Sequence, residues 1–253
     1  ADAKVGYQLW CSGRANTTIE IADLSEADIA LKQRQYVEAA VRCKKAGADC
    51  VEFHIAHTYM PGAFLSPAFN KRIDKYGAQT PESGIRFSVE TIGMIREACC
   101  SDGSSFEIIA KINGSDFVEG GVTPEWCAEA CTYLEKAGVA MITVNGGGAL
   151  QGTMIGMSDP GRQPEGWKVP FAEAVKKRVS IPVAGCGSIR HPDYADSIIR
   201  EGKCDIIAMA RGLYAEPNWV RLTEEGRENE MRNCISCCLL YTSPSPRDPK
   251  TSR

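Results

Sequence analysis

The sequence has little histidine, no long apolar run and no excess of either charge. Three histidines occur in 253 residues, and 29 Lys and Arg residues stand against 32 Asp and Glu residues. No stretch approaches the roughly 18 apolar residues of a membrane span, and the N-terminus lacks a basic-then-apolar signal pattern. Interspersed charges give no basic stripe for nucleic acid or an anionic membrane. We therefore predict a cytoplasmic protein with neither of these partners.

Cysteine is abundant, but its distribution argues against a disulfide framework. Most of the 12 cysteines are scattered through segments that read as helix or strand, for example Cys43 and Cys131. There they behave as small apolar residues, so we expect reduced core thiols in a reducing compartment. Only Cys234, Cys237 and Cys238 cluster in a way that suggests ligands.

Short β-branched runs alternate with amphipathic stretches along the chain. Six such strands, each followed by a helix, predict a parallel α/β sheet. Thr123 before Pro124 reads as a helix start, and Gly47 and Gly138 read as helix ends. Because the strands read as apolar on both faces and no composition break marks a second domain, we favour a (β/α)8 TIM barrel over a doubly wound sheet.

Six βα units are two fewer than a closed barrel needs. A strand already opens at residue 4, so the first two units are expected to be missing, which leaves exposed edges unless the sheet rearranges or pairs with another chain. A homo-oligomer is thus one candidate arrangement.

We assign residues 1–228 to a partial barrel and 229–238 to a cysteine segment. Residues 239–253 lose all periodicity and resemble a translated sequencing adaptor; the alternative is a natural disordered tail.

Polar groups or glycines follow every predicted strand. Because a barrel gathers its active site at the carboxyl ends of its strands, we expect them to share one rim. Glycines after the last two strands would let backbone N–H groups approach a phosphate, with Arg211 offsetting its charge. A plain tight turn is the alternative for each glycine cluster. The residues concerned are Gln8, His54, His57, Lys111, Asn145, Gly146 to Gly148, Gly185 to Gly187, Arg211 and Gly212.

Several segments carry a family resemblance. They are "QLWCSGR", "GADCVEFHIAHTYMPGAFLSPAFNKRIDKYG", "IRF", "AKINGSDFVEGG", "GCGSIR", "MARGLYAEP" and "NCISC". Together they span about residues 5 to 238 and resemble the old yellow enzyme family of FMN-dependent ene-reductases. The similarity is to the branch that contains 2,4-dienoyl-CoA reductase and related NADH:flavin oxidoreductases.

The resemblance implies roles for the residues after the second strand. His54 and His57 would hydrogen-bond the carbonyl oxygen of an α,β-unsaturated substrate, and Tyr59 would donate a proton to its α-carbon. Donors placed where enolate charge develops stabilise the transition state, and a phenol stays protonated at neutral pH. A histidine pair could instead cap the strand or bind metal, but the remaining histidine, His191, reads as a surface residue.

The resemblance also implies cofactors. FMN would contact Gln8 at its pyrimidine edge and Lys111 near N1 and O2, and Gly187, Ala210 and Arg211 would hold its phosphate. Lys111 could alternatively be a solvated strand-end lysine. The sequence departs from the family pattern at Cys11, where histidine is frequent, and at Ala210, where glycine is usual.

Two further features follow from the resemblance. "CISCC" resembles the start of a [4Fe–4S] ligand set, with Cys234 and Cys237 as ligands; three unligated thiols are the alternative. An intact parent protein would add FAD and NAD(P)H sites. Arg72, Asp74 and Arg86 are expected to form ion pairs that brace the loop over the site.

The predicted function is an NAD(P)H-dependent, FMN-dependent ene-reductase. It would reduce the C=C bond of an enone or enoyl-CoA by hydride transfer from flavin N5 and proton transfer from Tyr59. One alternative is another FMN barrel, such as a dihydroorotate-type dehydrogenase. The other is an inactive barrel fragment that does not bind flavin.

Overall fold

A computed structural model describes residues 3–11, 21–150, 153–155 and 163–236. Its main sheet is fully parallel, and its six strands lie side by side in the order in which they occur along the chain. The six predicted strands are therefore confirmed, in sequential order, as an open arc of a (β/α)8 barrel. Their bounds are β1 Gly6–Leu9, β2 Cys50–Ile55, β3 Glu107–Asn113, β4 Met141–Asn145, β7 Val183–Gly185 and β8 Ile206–Ile207.

Helices follow the strands as expected. They are α1 Glu26–Lys45, α2 Met60–Leu65, α3 Pro81–Cys100, α4 Pro124–Lys136, α5 Val169–Lys176, α6 Pro192–Arg200, α7 Arg211–Ala215 and α8 Trp219–Glu224. The predicted start of α4 is confirmed, since the Thr123 side chain accepts from the Trp126 N–H and Pro124 occupies the first turn. Gly47 and Gly138 adopt positive φ just after α1 and α4, as helix-ending glycines do.

A short antiparallel hairpin interrupts the βα alternation between β4 and α5. It pairs β5 Gly148–Leu150 with β6 Thr153–Ile155 and was not predicted from the sequence. Its first residue bridges to His57, so the hairpin begins directly beside the residues that follow β2.

The two faces of the sheet differ. One face carries apolar side chains that are completely buried under the helices, such as Phe53, Ile112 and Val144. The other carries Glu52 and Lys111, both only partly buried. The prediction that the strands are apolar on both faces was therefore wrong. Because successive side chains point to opposite faces, every functional side chain on a strand belongs to the polar face.

Aromatic packing joins the helices to the apolar face. The rings of Phe64 in α2 and Phe87 in α3 stack with centroids 4.7 Å apart, and Tyr36 of α1 packs on Phe53 of β2 at 4.8 Å. These contacts fix the helical layer against the longest strands, which support the residues at the end of β2.

The loop after α2 is braced by an arginine, as predicted. Arg72 pairs with Asp74 and also donates to the carbonyl oxygens of Ile21 at 2.8 Å and Leu24 at 2.7 Å. Arg86 does not join this network: its ion pair, at 3.9 Å, is with Glu90 one turn along α3. Proximity on the same helix face explains the difference.

Strands β1 and β8 are the edges of the described sheet. Apolar side chains lie exposed there, including Tyr7 at 52% and Ile206 at 42%. In the described part of the chain, no helix combines the length and the apolar character that crossing a membrane requires.

Candidate active site

The register of the sheet places three side chains in one row across the polar face. His54 of β2 pairs with Lys111 of β3, which pairs with Thr143 of β4. Residues in register on parallel strands point the same way, so His54 and the predicted flavin-contacting Lys111 face the same space.

His54, His57 and Tyr59 form one group, here called the imidazole cluster. The His54 ring lies 5.5 Å from the His57 ring and 5.1 Å from the Tyr59 ring, centroid to centroid. Both imidazoles are buried, whereas Tyr59 is half-buried with Trp10 against its other side at 5.1 Å. The structure thus brings together the three residues predicted to bind and protonate a substrate.

An unusual backbone turn presents His57. His57 and Thr58 both adopt left-handed conformations, with φ of 61° and 60°. Such conformations are unfavourable for residues with a side chain, so the surroundings must hold them. The His57 N–H donates to Asn113 Oδ1 at 3.3 Å, and a Cβ on Gly148 would lie only 2.6 Å from Thr58 Cγ2. Gly148 is therefore required for the close approach of the hairpin to this turn.

A buried polar network supports the turn. Asn113 Nδ2 donates to the Gly147 carbonyl oxygen at 2.9 Å and to Asp116 Oδ1 at 2.8 Å, while Asp116 Oδ2 accepts from the Val122 N–H at 2.9 Å. His57 Nδ1 lies 2.9 Å from the same Gly147 oxygen. The role of Asn113 was not predicted from the sequence, although an Asn and an Asp three residues apart directly after a strand were the signal available for it.

Burial keeps both imidazoles neutral. It lowers the pKa of His54 to about 3 and that of His57 to about 4. The positive charge of Lys111 acts in the same direction on both pKa values, and that of Lys168 on the His57 pKa. Desolvation disfavours the charged form, so the rings act as neutral hydrogen-bonding groups around pH 7.

A cavity of about 620 Å³ opens at the ends of β3, β4, β7 and β8 and is called here the cationic cavity. Lys111, the register partner of His54, lines it. Four cationic side chains line it, with Glu52 as the one lining carboxylate among the described residues. It contains the predicted positions Lys111, Gly187, Ala210 and Arg211, and also Lys168, Arg190, Cys186 and Cys234. The predicted flavin-contacting and phosphate-binding residues, apart from Gln8, are thus brought to one space.

The turn at Gly187 forms one wall of the cavity. Gly187 has φ of 129°, and an added Cβ would lie 2.8 Å from the backbone nitrogen of Lys168. Its carbonyl oxygen accepts from the Gly166 N–H at 2.6 Å. A side chain at this position would displace the wall, so glycine is needed for the close approach of two backbone segments.

Lys168 is a functional candidate that was not predicted from the sequence. It is buried, with its ammonium donating to Asn145 Oδ1 at 2.6 Å and to the Gly146 carbonyl oxygen at 3.1 Å. Burial lowers its pKa to about 8. A lysine at the N-cap of α5 is unfavourable beside the positive end of the helix, and this mismatch was the signal that could have singled it out.

The remaining predicted positions have different surroundings. Gln8 is exposed and does not line the cationic cavity, but its side-chain amide donates to Glu52, which does.

Arg190 Nε donates to the Cys234 carbonyl oxygen at 2.8 Å, which fixes the chain near that cysteine against the cavity wall. Cys237 and the tail 239–253 lie outside the described residues. No group of three His, Cys, Asp or Glu side chains able to hold a metal ion is present within the described ranges.

The cationic cavity fits a phosphate-bearing cofactor such as FMN. Its volume lies within the range of cofactor pockets. The glycine wall leaves backbone accessible where a Cβ would otherwise intrude, and the lining cations complement phosphate charge. These residues can hold an anion, and the neutral imidazoles lie at the end of the neighbouring strand, where His54 is in register with the cavity-lining Lys111.

The chain is similar to known flavin enzymes. The sequence model described as "NADH:flavin oxidoreductase / NADH oxidase family" matches residues 2–230. An NADH oxidase of Thermoanaerobacter brockii is 43% identical over 204 residues, which are 81% of this chain and 30% of that protein. The chain therefore spans about a third of the length of this relative.

Two solved structures have the same fold over most of the chain. Histamine dehydrogenase from Rhizobium sp. 4-9 superposes with a TM-score of 0.81 at 28% identity, over 93% of this chain and 36% of that one. A 2-naphthoyl-CoA reductase in complex with 2-naphthoyl-CoA gives a TM-score of 0.76 at 26% identity, over 85% and 32%.

Proposed function

Because the chain belongs to the NADH:flavin oxidoreductase / NADH oxidase family, we propose that it is the catalytic barrel of an FMN-dependent ene-reductase. The substrate is an α,β-unsaturated carbonyl compound or an enoyl-CoA, and NADH or NADPH supplies the electrons. The observation that carries the proposal is that the imidazole cluster and the cationic cavity share the carboxyl ends of neighbouring strands, since His54 of the cluster is in register with Lys111 of the cavity lining.

Each residue has a defined task in this proposal. When bound, FMN supplies the hydride for the β-carbon of the olefin. Lys111, Gly187, Ala210 and Arg211 hold the cofactor in the cationic cavity. In this proposal Gln8, whose amide donates to the cavity-lining Glu52, contacts the pyrimidine edge of the cofactor. The imidazole cluster orients the substrate carbonyl, and Tyr59 delivers a proton to the α-carbon.

The relatives support the substrate and electron-donor classes. An NADH oxidase among them suggests a nicotinamide donor, and a 2-naphthoyl-CoA reductase with the same fold suggests acyl-CoA chemistry. A half-buried tyrosine beside two neutral imidazoles suits a neutral carbonyl group better than a carboxylate.

An iron–sulfur cluster forms a second part of the proposal. Cys234 and Cys237 would be two of four thiolate ligands in a longer protein that also carries FAD. Support comes from Arg190, which holds the backbone at Cys234 against the cationic cavity. Iron and acid-labile sulfide should be found in the intact protein and should fall when Cys234 is replaced by Ser; unchanged iron content would exclude this ligand.

The function is tested by flavin binding and reoxidation. The chain is titrated with FMN, reduced anaerobically with dithionite and mixed with 2-cyclohexenone, while the oxidised flavin band is followed. We expect saturable FMN binding and reoxidation by the enone. A chain that stays colourless supports the inactive-fragment alternative, and a bound flavin that the enone cannot reoxidise contradicts ene-reduction.

Tyr59→Phe separates proton donation from hydride acceptance. Loss of the phenol should slow reoxidation by 2-cyclohexenone about 100-fold, within the range for a general acid, and should leave FMN affinity unchanged. Trp10→Phe is the matched control, because it alters the ring packed on Tyr59 without removing a hydroxyl. Equal reoxidation rates in Tyr59→Phe and the unmodified chain would remove Tyr59 from this role.

A further inference from the structure

One side chain of the cationic cavity is a buried amine. Lys168 is 3% exposed and is the only lysine that is buried among the residues the structure describes. It lines the cavity, and its nitrogen donates to Asn145 Oδ1 at 2.6 Å and to the Gly146 carbonyl oxygen at 3.1 Å. The amine therefore has a fixed position at the end of β4, inside a space that a small molecule can enter.

The surroundings of Lys168 disfavour its ammonium form. Burial is the main cause that lowers its pKa to about 8, and the positive charges of Lys111 and Arg211 act in the same direction. The nearby Cys186 would oppose this shift as a thiolate, but burial raises the pKa of the Cys186 thiol. Roughly a tenth of the Lys168 side chains therefore carry a neutral amine at pH 7. Desolvation and neighbouring cations are the means by which proteins turn a lysine into a nucleophile.

The two hydrogen bonds of Lys168 do not require its charge. An ammonium group has three N–H donors, and a neutral amine keeps two of them. Two N–H groups are enough for Asn145 Oδ1 and the Gly146 carbonyl oxygen. Loss of one proton thus preserves both bonds and gives the nitrogen the lone pair that attack on a carbonyl carbon needs.

The other end of the Lys168 side chain lies against the glycine wall. A Cβ added to Gly187 would lie 3.2 Å from Lys168 Cβ, and the next residue, Ser188, accepts from Arg211 Nη2 at 3.4 Å. The side chain therefore runs from the turn at Gly187 to the end of β4. A ligand that places a phosphate at Gly187 and Arg211 can place an aldehyde group at the Lys168 nitrogen.

We propose that Lys168 is a covalent binding site for small aldehydes that bear a phosphate group. The amine nitrogen adds to the aldehyde carbon, and the electron pair of the C=O bond moves to oxygen, which takes up the proton that the nitrogen releases. Loss of water from this carbinolamine leaves a C=N bond between the ligand and Lys168. Amine and aldehyde give imine and water, so the step needs neither an oxidant nor a reductant.

The imine site and the proposed flavin site share the cationic cavity. Gly187 and Arg211 would hold the phosphate of either ligand, so the two ligands exclude each other. A phosphorylated aldehyde therefore acts as a reversible inhibitor of flavin loading. Imine formation depends on the amine and the cavity alone and is independent of ene-reduction.

Pyridoxal 5′-phosphate is the probe for this site. The flavin-free chain is titrated at pH 7 while the visible absorption of the imine is followed, and borohydride then reduces the C=N bond to a stable amine for peptide mass mapping. At one equivalent of probe we expect about tenfold more label on Lys168 than on Lys177, an exposed lysine paired with Glu173. Equal labelling of the two lysines would overturn the proposal.

A pair of arginine variants tests the amine separately from its charge. Lys168→Arg keeps a positive charge but removes the nucleophile, because a guanidinium is not deprotonated in proteins. It should lose the visible imine band at one equivalent of probe, whereas the matched Lys177→Arg should keep it. An imine band of full strength in Lys168→Arg would contradict the assignment. Peptide mapping of the unmodified chain decides the same point if the variant does not fold.

Pyridoxal tests the requirement for phosphate. It has the same aldehyde group without the phosphate, so it should label Lys168 about tenfold less than pyridoxal 5′-phosphate does. Equal labelling of Lys168 by the two aldehydes would overturn the phosphorylated ligand class.

Competition with FMN tests the shared space. Excess FMN should suppress the label on Lys168 and leave the label on Lys177 unchanged. A Lys168 label that FMN does not suppress would count against FMN in this cavity, and therefore against the proposed function, while the imine site would stand.

Discussion

The imidazole cluster and the cationic cavity lie on the same rim but are held differently. The cluster follows β2, a strand of six residues paired along its whole length with β3. The cavity's glycine wall follows β7, which has three residues and pairs with only two residues of β8. The imidazole cluster is fixed by the long β2–β3 strand pairing and a buried amide network, whereas the cationic cavity is fixed by the close approach of two backbone segments at Gly187.

The difference matches what each region would bind. Neutral imidazoles need fixed directions, because a hydrogen bond to a carbonyl depends on the angle. Cations attract a phosphate over a distance, so they tolerate shorter and looser supports. Changes at the cluster should therefore act on direction and proton position, and changes at the cavity on charge and space.

The largest expected effect is acid destabilisation from the imidazole cluster. The folded-state pKa of His57, about 4, lies below its unfolded value of 6.5, so the unfolded chain binds the additional proton. The contribution of the neutral His57 ring to the free energy of unfolding is fully present above about pH 6.5. It is lost as the pH falls toward 4, which lowers the free energy of unfolding by roughly 3 kcal/mol. Urea unfolding at pH 7 and pH 4 measures it. The His57→Gln variant has no titrating group at this position, so its free energy of unfolding should fall correspondingly less between pH 7 and pH 4. An equal fall in the variant and the unmodified chain would contradict a neutral, buried His57 ring.

A glycine substitution at the cavity should have a somewhat smaller effect. Gly187→Ala forces a Cβ against the Lys168 backbone and should cost about 2 kcal/mol of unfolding free energy and weaken FMN binding at least tenfold. Gly202→Ala is the control, since Gly202 also has positive φ, 70°, but open space around its Cβ position. If both variants bind FMN equally well, the wall at Gly187 is not a cofactor contact.

Removing one charge from the cavity should have the smallest effect. Lys168→Met keeps the length of the side chain and should weaken FMN binding about fivefold, near 1 kcal/mol. Lys177→Met removes an exposed lysine one residue beyond α5, paired with Glu173 at 2.6 Å, and should change nothing. FMN titrations of both variants decide the point, and parallel losses would mean that net charge alone matters.

The sequence predicted what depends on periodicity and on local signals. Six strands, the start of α4 and the rim positions of His54, Lys111 and Gly187 follow from alternation and strand ends. The β5–β6 hairpin was missed because its glycines read as a loop.

Other features depend on contacts between distant segments. Asn113 meets Gly147 across 34 residues, and Lys168 meets Asn145 across 23. No local pattern reports such contacts. The assumption that both sheet faces are apolar failed because partly buried polar residues such as Lys111 alternate with the core residues of the strands.

The central claim is that the imidazole cluster binds the substrate next to an FMN held in the cationic cavity. Titration of the oxidised, FMN-loaded chain with 2-cyclohexenone, followed by the flavin difference spectrum, measures it directly. We expect a saturable spectral change, and at least tenfold weaker enone binding in His54→Leu with FMN affinity unaltered. An enone that leaves the flavin spectrum unchanged, or that binds equally well without the His54 imidazole, would contradict the account.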